Sequence, residues 1–185
     1  ELLRTLLADQ LQRVALLRGR TGELLWRLVS DSDIGPARAR HEAAGCGLVL
    51  ADAYWPAVLG CRASAPRPDV AEAIDLEARA NARGALSVTL GRRTVLLHPS
   101  DHPGTGICPR LWFRQVAERA RRLAPSGGWQ VIVGERAVGL GELSASVAEL
   151  NALWALGPGS RGDQPLVTVR HYALDVLLAR IADAA

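Results

Sequence analysis

Side chains able to ligate a metal, move a proton or hold an anion are scattered in this sequence. His98, His102 and Cys108 share one Pro/Gly-rich stretch at spacings of four and six residues. Imidazole and thiolate are good zinc ligands, but a structural zinc site needs four of them. No fourth ligand follows in the pattern, so the stretch reads as a solvent-exposed loop with no metal. His41 and His171 have no evident partners, and His171 follows a strand pattern where it suits a helix cap. Val138-Gly139-Leu140-Gly141 places G-x-G between a strand pattern and a helix pattern. It lacks the third glycine of a dinucleotide fingerprint and reads as a tight loop. Gly-x-Ser-x-Gly, Walker A and H-E-x-x-H patterns are absent. Arg92 and Arg93 are adjacent in a short turn. A guanidinium cannot ligate a cation and stays charged at any working pH. The pair is therefore either a solvated turn or a holder of an anion.

The elements that position these residues follow from periodicity. Leu86, Val88 and Leu90 alternate with Ser87 and Thr89, and a second apolar run spans 93–98. Gly91-Arg92 between them is a two-residue Gly-X loop, the signature of a type II′ hairpin. Tyr54 to Arg62 is a strand, with Pro56 placing it near an edge or a strand start. A helix from Arg67-Pro68-Asp69 to about Arg83 carries Val70, Ile74 and Leu76 as its apolar stripe. A second helix, Arg110 to Leu123, offers Leu111, Val116, Ala120 and Leu123 to a core. Trp129 to Val133 and Leu166 to Arg170 are strands, and 141–156 and 172–182 are helices. From residue 54 the order is β-α-β-β-α-β, the α+β pattern of a ferredoxin-like antiparallel sheet, with a helix–strand–helix appendage.

The first 46 or so residues are helical. Leu3, Leu7, Gln10, Val14 and Leu17 alternate at spacings of four and three, a two-heptad seam that suits either a dimer contact or packing on the same domain. Leu24, Leu25, Leu28 and Val29 mark one face of a second helix, and Pro36 suits the first turn of a third. The expected division is a helical linker and dimerisation segment at 1–46 and an α+β domain at 47–185.

Composition bounds the function. With 185 residues, 49% hydrophobic and 22% charged, the chain is an ordinary globular length and mixture. The net charge is +3, and every basic residue is Arg. Acids are interspersed with the arginines and no basic run forms, which argues against a nucleic-acid surface. The three cysteines are an odd, widely spaced set, as in a reduced cytoplasmic protein. No apolar run reaches the length of a membrane span. The five tryptophans, Trp26, Trp55, Trp112, Trp129 and Trp154, fall at apolar positions of separate elements and read as core or interface residues. Met is absent and the chain begins inside a helical pattern, so it reads as a portion of a longer protein.

The hairpin carries a family resemblance. Leu90-Gly91-Arg92-Arg93-Thr94-Val95-Leu96-Leu97 resembles the central hairpin of GGDEF nucleotidyl cyclases in its Leu, first Gly and following apolar strand. The second Gly and both acids are replaced. Later segments resemble the degenerate GGDEF-like domain of PucR/CdaR transcription regulators. These are Val131-Ile132-Val133-Gly134, then Gly139-Leu140-Gly141, then Ser146-Val147-Ala148-Glu149-Leu150 with Ala152-Leu153. Val167-Thr168-Val169-Arg170-His171-Tyr172 and Ala43-Ala44-Gly45-Cys46-Gly47-Leu48 continue the likeness. Val147 stands where that family usually has Tyr, and Leu150 where it has Ala.

The resemblance implies a regulatory and dimerisation module without enzymatic activity, cofactor, metal or catalytic residues. It would couple an upstream sensor to a downstream helix-turn-helix. Its expected partners are a second copy of itself, through Leu3, Leu7, Val14 and Leu17, and a small-molecule effector. DNA would be met only through a domain outside this chain, and membrane not at all. Magnesium-dependent cyclisation needs carboxylate ligands; Arg92 and Arg93 occupy the hairpin positions, and Asp52, near the first strand, reads as a loop or cap residue. The alternative function is a sensor that recognises an anionic metabolite or nucleotide at the degenerate cleft through Arg92 and Arg93.

Overall fold

The computed structural model describes residues 19–30, 34–61, 68–100, 108–155 and 166–174. Helix α1 covers residues 19–30 and α2 spans Pro36–Gly45. Then follow β1 (Ala53–Gly60), α3 (Pro68–Asn81), β2 (Leu86–Leu90), β3 (Arg93–Pro99) and α4 (Pro109–Leu123). After a 3-10 turn come β4 (Gln130–Val133), β5 (Ala137–Val138), α5 (Gly139–Ala155), β6 (Leu166–Thr168) and α6 (residues 169–174). The strands form one six-stranded sheet in the order β2-β3-β1-β4-β6, with β5 also paired to β1. The part β2-β3-β1-β4 is antiparallel and has the ferredoxin-like order expected from the sequence. Strand β6 adds to it in parallel with β4, across α5.

Both faces of the sheet are covered, which explains the near-continuous apolar runs of β1, β3 and β4. Val58 in β1, Val95 and Leu97 in β3, and Ile132 in β4 face one core, shared with Leu24, Leu25, Leu28 and Val29 of α1, Ala39 and Ala43 of α2, and Leu143, Val147 and Leu150 of α5. Their strand neighbours Ala57, Leu59, Leu96, Val131 and Val133 face the second core, under α3 and α4. This is the period-2 alternation of a strand, with both faces dry. Trp112 and Phe113 are completely buried in the second core. Each contributes on the order of 2 kcal/mol through burial. The Trp112 indole N–H donates to the Ala78 carbonyl at 3.2 Å, which ties α4 to α3.

Three expectations are corrected by this packing. Leu76 is 57% exposed and Leu111 47% exposed, so neither belongs to the core. Ala78 completes the buried stripe of α3, and Trp112 and Phe113 that of α4. Pro56 lies in the central strand, not near an edge. It is accommodated because β4 pairs with residues 57–60 of β1 while β5 pairs with 53–54. Gly134, in the gap between β4 and β5, donates to the Pro56 carbonyl at 2.9 Å. In an antiparallel strand a residue's N and O point to the same side. The donor that proline lacks therefore falls at a bulge, where no ladder bond is broken.

Candidate functional site

The β2–β3 hairpin closes where the C-terminal end of β1 emerges. Gly91 has φ +62°, and no non-glycine residue has positive φ among the described residues. With Leu90 paired to Arg93, this is the type II′ geometry, which requires glycine at the first turn position. Thr89 and Thr94 share a hydroxyl hydrogen bond of 3.1 Å across the strands. The Cys61 backbone N–H donates to the Arg92 carbonyl at 3.3 Å, which fastens the turn to β1.

The last residue of β1 is a glycine for steric reasons. A Cβ built on Gly60 would lie 2.1 Å from Cζ2 of Trp154, so the indole of α5 rests directly on the strand backbone. One turn earlier on α5, Asn151 receives Arg93: the guanidinium Nη1 donates to the amide oxygen at 3.0 Å and to the Asn151 carbonyl at 3.3 Å. Gln130 opposes Gly60 in β4 and is buried, as is Tyr172 of α6. The Cys61 thiol is buried and points to the Gly127 carbonyl at 3.1 Å. Cys61, Gln130, Asn151, Trp154 and Tyr172 line, with Arg92 and Arg93, a half-open cleft of about 550 Å³. Arg92 is exposed, and among the described residues no acidic side chain lines the cleft. The arrangement supplies charge-assisted N–H donors, neutral amides and aromatic surface. Among the described residues it supplies no oxygen anion for a hard cation.

Asp52 lies at the other end of β1. Eight residues of strand separate it from the hairpin, roughly 25 Å at the usual rise. Its carboxylate is 81% exposed and accepts from the Arg40 guanidinium at 2.6 Å. The carboxylate and the hairpin cannot meet on one ion. Among the described residues no group of three or more His, Cys, Asp or Glu side chains converges as a metal site.

His98 stands in both the expected strand 93–98 and the expected solvent loop with His102 and Cys108; it belongs to β3, opposite Trp55, and not to a loop. It is 2% exposed, with its ring 5.1 Å from that of Trp112 in an edge contact and also near Phe113. Neither ring nitrogen has a hydrogen bond of ordinary geometry among the described residues. Burial holds its pKa below the usual histidine value, against a smaller opposing pull from the Pro99 backbone. Cys108 is exposed at the start of α4, and His102 lies outside the described residues. His41 is exposed on α2. His171 lies within the first turn of α6 and shares a 2.8 Å side-chain hydrogen bond with the Thr168 hydroxyl just before it. Gly139 has φ +80° and opens α5, and the Glu142 carboxylate reaches back to the Val138 N–H at 2.7 Å. The G-x-G is thus not a separate loop: β5 runs directly into α5, and Gly139 with the Glu142 carboxylate forms the helix entry.

The structure therefore brings Arg92 and Arg93 to one cleft and places Asp52 and His98 away from it. Leu3, Leu7, Val14 and Leu17 lie outside the described residues. Sequence reasoning missed Gln130, Asn151, Trp154 and Tyr172. The available signal was Gly60, an isolated glycine in an apolar strand, which marks close approach by another group.

The sequence pattern of the GGDEF-like domain matches residues 30–156. Among solved structures, the chain is similar to the crystal structure of a regulator of polyketide synthase expression from Bifidobacterium adolescentis, with a TM-score of 0.57 at 16% identity. That likeness, which is one of fold, covers 86% of this chain and 58% of the other, so the chain spans well under two thirds of its neighbour's length. No curated protein matches the sequence. Among the described residues no helix is long and apolar enough to cross a membrane.

Proposed function

The chain belongs to the GGDEF-like domain family, and from that premise we propose that it is the non-catalytic regulatory domain of a PucR/CdaR-type transcription regulator. In this reading it holds two protomers together and couples an upstream sensor to a downstream helix-turn-helix. The observation that carries the non-catalytic part is the cleft itself. Arg92 and Arg93 stand at the hairpin, Trp154 is laid on Gly60 at the end of β1, and Asp52, which precedes β1, is at the far end of that strand engaged with Arg40. Phosphoryl transfer to a cyclic product depends on carboxylates that hold Mg²⁺ against the triphosphate. The regulatory part is supported by the family and by the fold neighbour, a regulator of polyketide synthase expression.

Incubation with GTP or ATP and Mg²⁺ or Mn²⁺ is expected to yield no cyclic dinucleotide above a blank. Turnover that disappears in Asp52→Ala would overturn the reading. Light scattering on the chain and on a form beginning at Thr21 addresses association. A dimer that weakens on truncation assigns the contact to the Leu3/Leu7/Val14/Leu17 face. Monomers in both forms at tens of micromolar, on the order of the concentrations where weak dimers appear, remove the coupling role.

A further inference from the structure

We propose that the cleft at the hairpin is a binding site for a small planar organic anion, an aromatic or heteroaromatic carboxylate, gripped by Arg92 and supported by Trp154. Size comes first. About 550 Å³ falls within the range of cavities that enclose a small organic ligand. Charge comes second. Two guanidiniums line the cleft and, among the described residues, no carboxylate does, so the described lining favours an anion over a cation. The two arginines have different tasks. Arg93 is held by Asn151 through Nη1. Arg92 is exposed and makes no side-chain hydrogen bond or ion pair among the described residues, although its backbone carbonyl is fixed by Cys61. A planar guanidinium on an anchored backbone suits a two-point grip on a carboxylate.

The walls argue for a ring. Trp154, Leu90 and Tyr172 supply aromatic and apolar surface, while Gln130 and Asn151 place amides beside it. Apolar walls with a few convergent polar groups are what fix the orientation of a flat ligand. One unengaged guanidinium matches a single negative charge. A polyphosphate would bring several charges to a site with no metal ligand among the described residues to offset them. The inference stands on the cavity and does not depend on the proposed coupling role. A regulator with an empty cleft and a ligand-binding domain with no coupling role are both distinguishable outcomes.

Isothermal titration calorimetry of the full chain with 1-naphthoate tests the site. The neutral ring analogue 1-naphthalenemethanol and inorganic phosphate are the two controls. Saturable binding of naphthoate is expected, with neither control saturating in the same range. Arg92→Glu and the milder Arg92→Gln lie on an exposed turn, and their melting temperatures report that the fold is kept. Reversing the charge at Arg92 is expected to weaken naphthoate binding by at least about tenfold, the loss of one charge-assisted hydrogen-bonding group, with a smaller loss in Arg92→Gln. The proposal is overturned if naphthoate does not saturate at millimolar concentration or binds both variants as tightly as the parent chain. It is equally overturned if the alcohol or phosphate binds as well as naphthoate.

Discussion

Strand β3 carries a basic side chain near each end, and the fold treats the two in opposite ways. Arg93, at the hairpin end, faces α5, keeps its charge, and is met by the Asn151 amide and carbonyl beside a cavity. His98, five residues on, faces α4 and is packed against Trp112 and Phe113 with no hydrogen bond of ordinary geometry among the described residues. An arginine cannot shed its proton, so it must be given partners. A histidine can be buried by staying neutral, and its depressed pKa records that. The hairpin end is therefore a polar pocket sealed on one side by a tryptophan. The distal end is dry core with an exposed ion pair, Asp52 with Arg40, at its rim.

The largest effect is expected at the sealed wall. Gly60→Val places branched carbons where the Trp154 ring lies, in the central strand. It should cost about 3 kcal/mol or more by urea denaturation, as overpacking of a rigid site does. Trp154→Ala alone opens a cavity and destabilises by about 3 kcal/mol. In the double variant Gly60→Val with Trp154→Ala the clash with the indole is gone, so the combined loss should fall short of the sum of the singles. Strict additivity would show that the indole does not rest on the strand.

The arginine contrast comes next. Asn151→Ala leaves Arg93 with the backbone carbonyl alone, and a loss of about 1 kcal/mol is expected. Arg93→Ala should cost a similar amount, and the two losses should not add, because they remove one interaction. Independent losses would mean that the pair seen at 3.0 Å contributes nothing in solution.

His98→Leu exchanges a neutral buried ring for an apolar side chain of similar size and should change stability at pH 7.5 by less than about 1.5 kcal/mol. The difference appears on acidification. Because the folded pKa is lowered from 6.5, the unfolded chain binds more protons as pH falls through that value. The parent protein thus loses stability below about pH 6.5 until the folded pKa is passed. The Leu variant should lack that portion of the slope. Identical slopes in the two proteins between pH 7.5 and 5.5 would place the His98 ring in water.

Much of this architecture is legible in the sequence, and the reasons for the failures are physical. The hairpin was readable because Gly91-Arg92 is local chemistry: two residues and one positive φ decide it. The ferredoxin-like order was readable because strand and helix periods alternate cleanly after residue 54. Leu76 and Leu111 were misassigned because hydrophobicity alone does not fix a helix's rotation; the neighbouring Trp112, Phe113 and Ala78 outcompete them for the interior. Pro56 misled because its tolerance depends on a bulge in a different strand, about eighty residues away in sequence. His98 ends the expected strand 93–98 and begins the Pro/Gly-rich stretch, and its residue type does not show that the strand end is buried under Trp112 and Phe113. The candidate site was half visible. Arg92 and Arg93 announce themselves by charge, whereas Trp154 and Asn151 reach the cleft only through the docking of α5.

The smallest expected effect belongs to the distal rim, and it bears most directly on how the two ends differ. Asp52 and Arg40 form a short ion pair at 2.6 Å, yet both side chains are more than half exposed. Water and salt screen such a pair, and ordering two side chains offsets most of the Coulomb gain. Asp52→Ala should therefore change the urea midpoint by less than the equivalent of about 0.5 kcal/mol, and Arg40→Ala likewise. The Asp52 backbone carbonyl, which accepts from Gly139 N–H at 2.9 Å, is untouched by either substitution, so the entry to α5 is preserved. A loss of 2 kcal/mol or more, on the order of what breaking a desolvated charged contact costs, would mean that this end of β1 is buried against something further. The same measurement in high salt separates the possibilities. An exposed pair loses what little it contributes, while a desolvated one is screened far less.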